Sequence, residues 1–292
     1  MLHSKAMFVI TPAKELTNGN TQVATRISTI RFIAAALLWS AISNPASGAA
    51  IGNLDGWTQV QDPADPGMTG SVNGAGDAAT LTATGVVPGG TDIGYQSVDG
   101  NTVADSSSGY YFSSSEDFHI AVDFSVVATG SIGFGAIGFG IGEDGGGMNS
   151  AGPALAVFSG LPISFAAAAR IDDANQLPLL FSLAGTLNGR FFVQYDSATG
   201  DIISGVSATQ GSANPDETQT FSQLQGSWND ADLLASFFLR SESLQGGAIS
   251  ATFSDFTVIE GTPLAAVPLP ATAWLFGSAL FGLVAVSRSR KA

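Results

Sequence analysis

The chain has 292 residues, no cysteine, and 24 acidic against 10 basic side chains, for a formal net charge of −14. The imbalance concentrates between residues 51 and 262, where three arginines (Arg170, Arg190, Arg240) and no lysine stand against 23 carboxylates, a balance of −20. Such a surface repels nucleic acid and anionic lipid headgroups, and the lack of cysteine excludes a disulfide scaffold, zinc–thiolate centres and cysteine nucleophiles.

The first element is an export signal. Arg26 and Arg31 flank the start of an apolar stretch over residues 30–42 that holds Phe32, Ile33, Leu37, Leu38 and Trp39. Asn44-Pro45-Ala46-Ser47-Gly48-Ala49-Ala50 then supplies small residues for signal peptidase, with cleavage expected after Gly48 or Ala50. The polar stretch 1–25 is long for a leader, and Met7 is an alternative start. Residues 1–50 are therefore set apart as a signal helix and leader.

Residues 51–262 form one domain of roughly 210 residues, large enough to bury a full core without staples. Phe118, Ile120, Val122, Phe124 and Val126 alternate with His119, Ala121, Asp123 and Ser125, the period of two that marks a strand with one buried face. Further strands are predicted at 132–141, 154–158, 163–171, 179–183, 190–195, 233–240 and 248–259. Turn chemistry separates them at Glu143-Asp144-Gly145-Gly146-Gly147, Asp172-Asp173-Ala174-Asn175 and Asp196-Ser197-Ala198-Thr199-Gly200. The stretches 61–77 and 204–220 look like long polar loops, and 261–266 like a linker. Many strands with no amphipathic helix make an all-β sandwich or jelly roll.

Chemistry is sparse in this domain. Calcium is the one metal the sequence suggests: Glu143, Asp144 and Asn149, or Asp172, Asp173 and Asn175, could supply loop oxygens, although the same residues also simply make turns. Trp57, Tyr110, Tyr111, Tyr195 and Trp228 are candidate rings on which sugar faces could stack, if they are exposed. His119, the one histidine of the domain, lies in the polar phase of its strand and is expected to be a plain surface histidine. No Glu-x-Asp-x-x-Glu spacing, which would hold two carboxyls about 5 Å apart across a glycosidic bond, occurs.

The tail begins at Val267-Pro268-Leu269-Pro270, whose prolines stop any helix from entering from the domain. Residues 271–287 carry no charge, and Trp274, Leu275, Phe276, Leu280, Phe281, Leu283, Val284 and Val286 cover every side of a helix. Such a run spans roughly 25 Å, close to a hydrocarbon core. Trp274 at one end and Arg288, Arg290 and Lys291 at the other mark an interfacial anchor and a cytoplasmic stop.

The stretch from Val267 through Val284, followed by Arg288 and Arg290, resembles the PEP-CTERM sorting signal of Gram-negative bacteria, with Leu269 where that family's name has Glu. The resemblance covers residues 267–292 and implies processing of the Pro-x-Pro motif by an exosortase, passage through an inner-membrane intermediate, and an association with exopolysaccharide or biofilm matrix. Asp117-Phe118-His119-Ile120-Ala121-Val122-Asp123-Phe124, Gly138-Phe139-Gly140-Ile141, the run from Phe192 to Gly200 and the run from Ala251 to Val258 together resemble the concanavalin A-like lectin/glucanase jelly roll. That architecture hosts enzymes, lectins and inert spacers alike. The reading that joins these parts is an exported, non-enzymatic surface or matrix protein, structural or adhesive, that binds extracellular polysaccharide. An extracellular glycan-cleaving enzyme and a permanently membrane-tethered binding domain are the alternatives.

Overall fold

The computed structural model describes residues 52–147, 149–159, 161–222 and 231–266. The leader, Trp228, Val267-Pro268-Leu269-Pro270, the apolar segment 271–287 and Arg288, Arg290 and Lys291 lie outside the described residues. Among the described residues no helix is long and apolar enough to cross a membrane.

Among the described residues seventeen strands follow a short 3-10 turn, Leu54–Gly56. The first four are β1 (Thr58–Asp62), β2 (Met68–Val72), β3 (Ala78–Val87) and β4 (Thr91–Gln96). After the two-residue β5 (Tyr110–Tyr111) come β6 (Phe118–Thr129), β7 (Phe134–Gly142), β8 (Ser150–Phe158) and β9 (Leu161–Ile171). Short β10 (Ala174–Asn175) and β11 (Leu179–Leu180) both add to β9. The last six are β12 (Asn188–Asp196), β13 (Asp201–Ser207), β14 (Glu217–Phe221), β15 (Leu234–Ser241), β16 (Leu244–Glu260) and β17 (Leu264–Ala265).

Among the described residues the strands build a two-stranded sheet of β17 and β5 and two large antiparallel sheets. One has eight strands in the order β1-β4-β15-β7-β8-β9-β10 with β11 also on β9, and the other seven in the order β14-β13-β12-β6-β16-β3-β2. Strands β7 and β8 of the first lie against β12, β13 and β16 of the second, and the alternating inward residues fill the space between the sheets. On β6 these are Phe118, Ile120, Val122, Phe124 and Val126, and on β12 Phe191, Val193 and Tyr195, all in the core. Phe124 stacks on Phe191 with centroids 4.3 Å apart. Each such side chain, fully removed from water, contributes about 1.5–3 kcal/mol.

Turn residues act where the sequence places them. Asp172 and Asp173 have φ of 49° and 66° and close the β9–β10 hairpin, whose register joins Ile171 to Ala174, the geometry of a two-residue primed turn. Asp196 accepts hydrogen bonds from the backbone of Ala198 and Thr199 between β12 and β13. Gly246, at φ 95°, sits at the bulge between Gln245 and Gly247 that bends the long β16.

Three expectations are corrected. Segment 61–77 contains the end of β1 and all of β2, and 204–220 holds the end of β13 and most of β14, leaving only 208–216 as a connection. Their edge positions explain the misreading: β2 and β14 each end the seven-stranded sheet, so their outer residues are polar and the apolar alternation is weak. Segment 261–266 is no free linker, because β17 pairs with β5 and Ala266 donates its N–H to Gly109 O at 3.0 Å. Finally, the strand expected over 179–183 shortens to β11.

Candidate functional site

The outward phase of the seven-stranded sheet carries the polar chemistry of the domain. Because opposed residues of antiparallel strands share a face, the registers align Ser71, Thr80, Thr252 and Ser125 in one row across β2, β3, β16 and β6. A second row aligns Thr69, Thr82 and Ser250. Thr80 and Thr252 hydroxyls lie 3.2 Å apart, and those of Thr82 and Ser250 3.3 Å apart. These rows contain no charged side chain, an unusual stretch on so acidic a domain.

Next along the face is a buried ion cluster. Arg190 on β12 is 4% exposed and donates from Nη1 to Asp123 Oδ1 at 3.1 Å and to Asp255 Oδ2 at 2.6 Å, and from Nη2 to Thr257 Oγ1 at 2.9 Å. Asp255 sits at φ 50° where β16 shifts register between Ser254 and Thr257, and this bulge turns its carboxylate toward Arg190. Burial pushes the Asp123 carboxyl above its ordinary range, against the opposing pull of the Gly211 N–H and of Arg190. The other two domain arginines are likewise committed: Arg170 to Asp173, and Arg240 to Asp92 and Glu242. Every described arginine thus has a carboxylate partner, and the outward charge of the domain is acidic.

Beyond the cluster lies a hollow of about 260 Å³. His119, Gln194, Asn214 and Thr218 line it with polar groups, and Phe192, Ile203, Gly205 and Pro215 with apolar surface. His119 is half-buried with its ring 5.8 Å from that of Phe192, and burial lowers its pKa, with Glu260 pulling the other way. It is therefore a neutral, hollow-lining imidazole and not the plain surface histidine expected.

The sugar-stacking candidates fare differently. Trp57, Tyr110 and Tyr195 are 5%, 4% and 0% exposed, so these three rings cannot meet a sugar. Trp57 packs against Tyr110, Phe237 and Phe256, and Tyr195 donates its hydroxyl to Ser114 O at 2.8 Å. Tyr111 is half-buried on β5.

The calcium candidates do meet, though as a hydrogen-bonded corner. Asn149, 2% exposed, donates its amide to Glu143 and accepts from Asp172 N–H at 2.7 Å, which joins both proposed loops. Asp173 is taken by Arg170, and Asn175 is exposed on β10. Glu143 and Asp144 also line a separate hollow of about 340 Å³ with Asp232. Among the described residues no three acidic or histidine side chains converge in a way that could hold a metal ion. Of the oxygens that could ligate calcium, Glu143 Oε1, Asn149 Oδ1 and Asp173 Oδ1 are engaged within the protein.

The class of protein is an all-β fold of two curled antiparallel sheets packed face to face. Solved structures similar to it include an alginate lyase from Klebsiella pneumoniae (12% identity, 72% of this chain and 97% of that one, TM-score 0.47). A β-glucanase from Bacillus licheniformis (9%, 74% and 96%, TM-score 0.43) and a legume lectin-like domain from Entamoeba histolytica (11%, 68% and 96%, TM-score 0.41) are also similar. No protein-family model and no curated protein matches the chain.

Proposed function

We propose that this is an exported protein of a Gram-negative cell surface or extracellular matrix, whose sandwich holds a neutral polysaccharide across the outer face of its seven-stranded sheet. The observation that carries the reading is the pair of uncharged hydroxyl rows leading to a polar hollow, on a domain whose arginines are all internally paired. Hydroxyl rows offer donors and acceptors to sugar hydroxyls without the cost of leaving a charge unpaired. Uronate-rich polymers would be repelled by the acidic surroundings. Binding is favoured over cleavage because Asp123 and Asp255, two carboxylates near the rows, share one arginine and are not free for an acid and a nucleophile.

Delivery rests on the sequence: a signal peptidase substrate at the N-terminus, and at the C-terminus the Pro268-Leu269-Pro270 motif, apolar run and basic end that an exosortase would process. Two measurements test the proposal. Co-sedimentation of residues 51–266 with insoluble neutral β-glucan, against alginate, should show retention on the first alone; equal retention on neither removes the glycan reading. Intact mass of the protein released from cells should show loss of everything beyond the Pro268 region, whereas a tail ending at Ala292 makes it a tethered membrane protein.

A further inference from the structure

The connection between β13 and β14 is longer than a hairpin needs, and although most of its residues are exposed it is tied back to the sheet. Hairpin loops usually take two to five residues; residues 208–216 instead fold back over the outer face as a strap. Gly211 N–H donates to both oxygens of Asp123 at 3.0 Å, and Gln210 Nε2 to Phe124 O at 2.9 Å. The ends are closed by Asp216, which accepts from Ser207 Oγ at 2.8 Å and Ala208 N–H at 3.0 Å. Pro215 rests so close to the sheet that a Cβ on Gly205 would lie 2.8 Å from it and 3.1 Å from Phe192 Cβ. Asn214 and Pro215 are thereby the wall of the hollow, facing His119 and Gln194.

Asp123 therefore has two duties, as the buried partner of Arg190 and as the peg that holds the strap. A buried ion pair contributes little net stability compared with an apolar replacement, so its presence here calls for a reason other than stability, and the strap supplies one. We propose that the Arg190–Asp123 pair is a clasp that fixes the Asn214–Pro215 wall, making the hollow a subsite for one uncharged terminal sugar unit and Asp123 its specificity-determining positioning residue. This deepens, and rests on, the glycan-binding reading. The size fits: about 260 Å³ falls just below the range of drug-sized pockets, roughly 300–1,000 Å³, and suits a single ring. The lining fits too, since Gln194, Asn214 and Thr218 are neutral and the nearest cation, Arg190, is paired with Asp123 and Asp255. A uronate would find no counter-charge there.

The test uses cellohexaose and its glucuronate-terminated analogue as probes on the 51–266 domain, with affinity from calorimetry and strap opening from hydrogen exchange of residues 208–216. The expected result is that cellohexaose slows exchange in the strap, the uronate-ended probe does not, and Asp123→Asn both speeds strap exchange and weakens cellohexaose by about tenfold. Pro215→Ala, which trims the wall and leaves the clasp intact, should weaken cellohexaose binding without speeding exchange, and serves if Asp123→Asn fails to fold. Wild-type binding of cellohexaose that neither variant alters would overturn the clasp while leaving glycan binding intact; retention of no glucan at all would remove both.

Discussion

Arg190 Nη1 stands 3.1 Å from Asp123 Oδ1 and 2.6 Å from Asp255 Oδ2, yet the two pairs are not energetically alike. The Asp123 side chain is 10% exposed and that of Asp255 60%. Removing the cation from a buried carboxylate typically costs about 3–5 kcal/mol, whereas an exposed pair contributes at most about 1. Arg190→Met should therefore lower unfolding free energy by about 3–5 kcal/mol in urea titration, and Asp255→Asn by under about 1 kcal/mol. Equal effects from the two would mean that the buried carboxylate finds another partner.

His119 sets the sign of the pH response near neutrality. Its folded pKa lies below the ordinary 6.5 because burial disfavours the imidazolium, Glu260 only partly offsetting this. The unfolded chain then binds the proton more readily, so the stability carried by neutral His119 is present above pH 6.5 and is lost as pH falls from there through the lower folded value. The urea midpoint should drop between pH 7.5 and 5.5, and His119→Gln should flatten the drop. Carboxylates with lowered pKa, such as Asp99 and Asp117, act only in more acid solution, and Asp92, Asp123 and Asp232, raised by burial, act in the opposite sense, so the difference between the parent and His119→Gln is what reads the imidazole.

The sheet interior was legible because burial imposes a period of two: the alternation over Phe118–Val126 and the glycine and aspartate turns fall where expected. The outer face was legible in principle as well. Thr80, Thr82 and Thr84 alternate with Ala79, Leu81 and Ala83, and Ser250, Thr252 and Ser254 with Ile249, Ala251 and Phe253, but only the register shows that the two hydroxyl series lie side by side. Nothing local could reveal the Arg190 cluster, whose other members lie 65 to 67 positions from Arg190. Aromatic residues misled for a related reason: a tryptophan's sequence neighbours do not say whether its ring is a platform or, like Trp57, a core filler.

Close strand approach gives a sharp contrast between two glycines. A Cβ on Gly152 would lie 2.0 Å from Phe139 O and 2.6 Å from Gly140 Cα, both backbone atoms of β7, while one on Gly74 would meet nothing within 4 Å. Overpacking usually costs about 1–3 kcal/mol, and more where backbone must move. Gly152→Ala should lose at least about 3 kcal/mol or fail to fold, and Gly74→Ala should stay within about 0.5 kcal/mol of the parent. Comparable thermal midpoints for the two would show that β7 and β8 can separate at little cost.

The hydroxyl rows can be challenged without disturbing the core, since Thr82 and Thr252 are half-buried on the outward phase and their inward neighbours Leu81, Ala83, Ala251 and Phe253 carry the packing. Thr82→Val and Thr252→Val keep shape and remove the hydroxyls. Each lost hydrogen bond to a sugar is expected to weaken binding by about 0.5–1.5 kcal/mol, so the double variant should release neutral glucan roughly tenfold or more readily in co-sedimentation while its urea midpoint hardly moves. Thr252→Asp should be worse, because its carboxylate must be desolvated against a ligand that offers no cation. If the aspartate variant binds glucan as well as the parent, the polysaccharide does not lie on these rows.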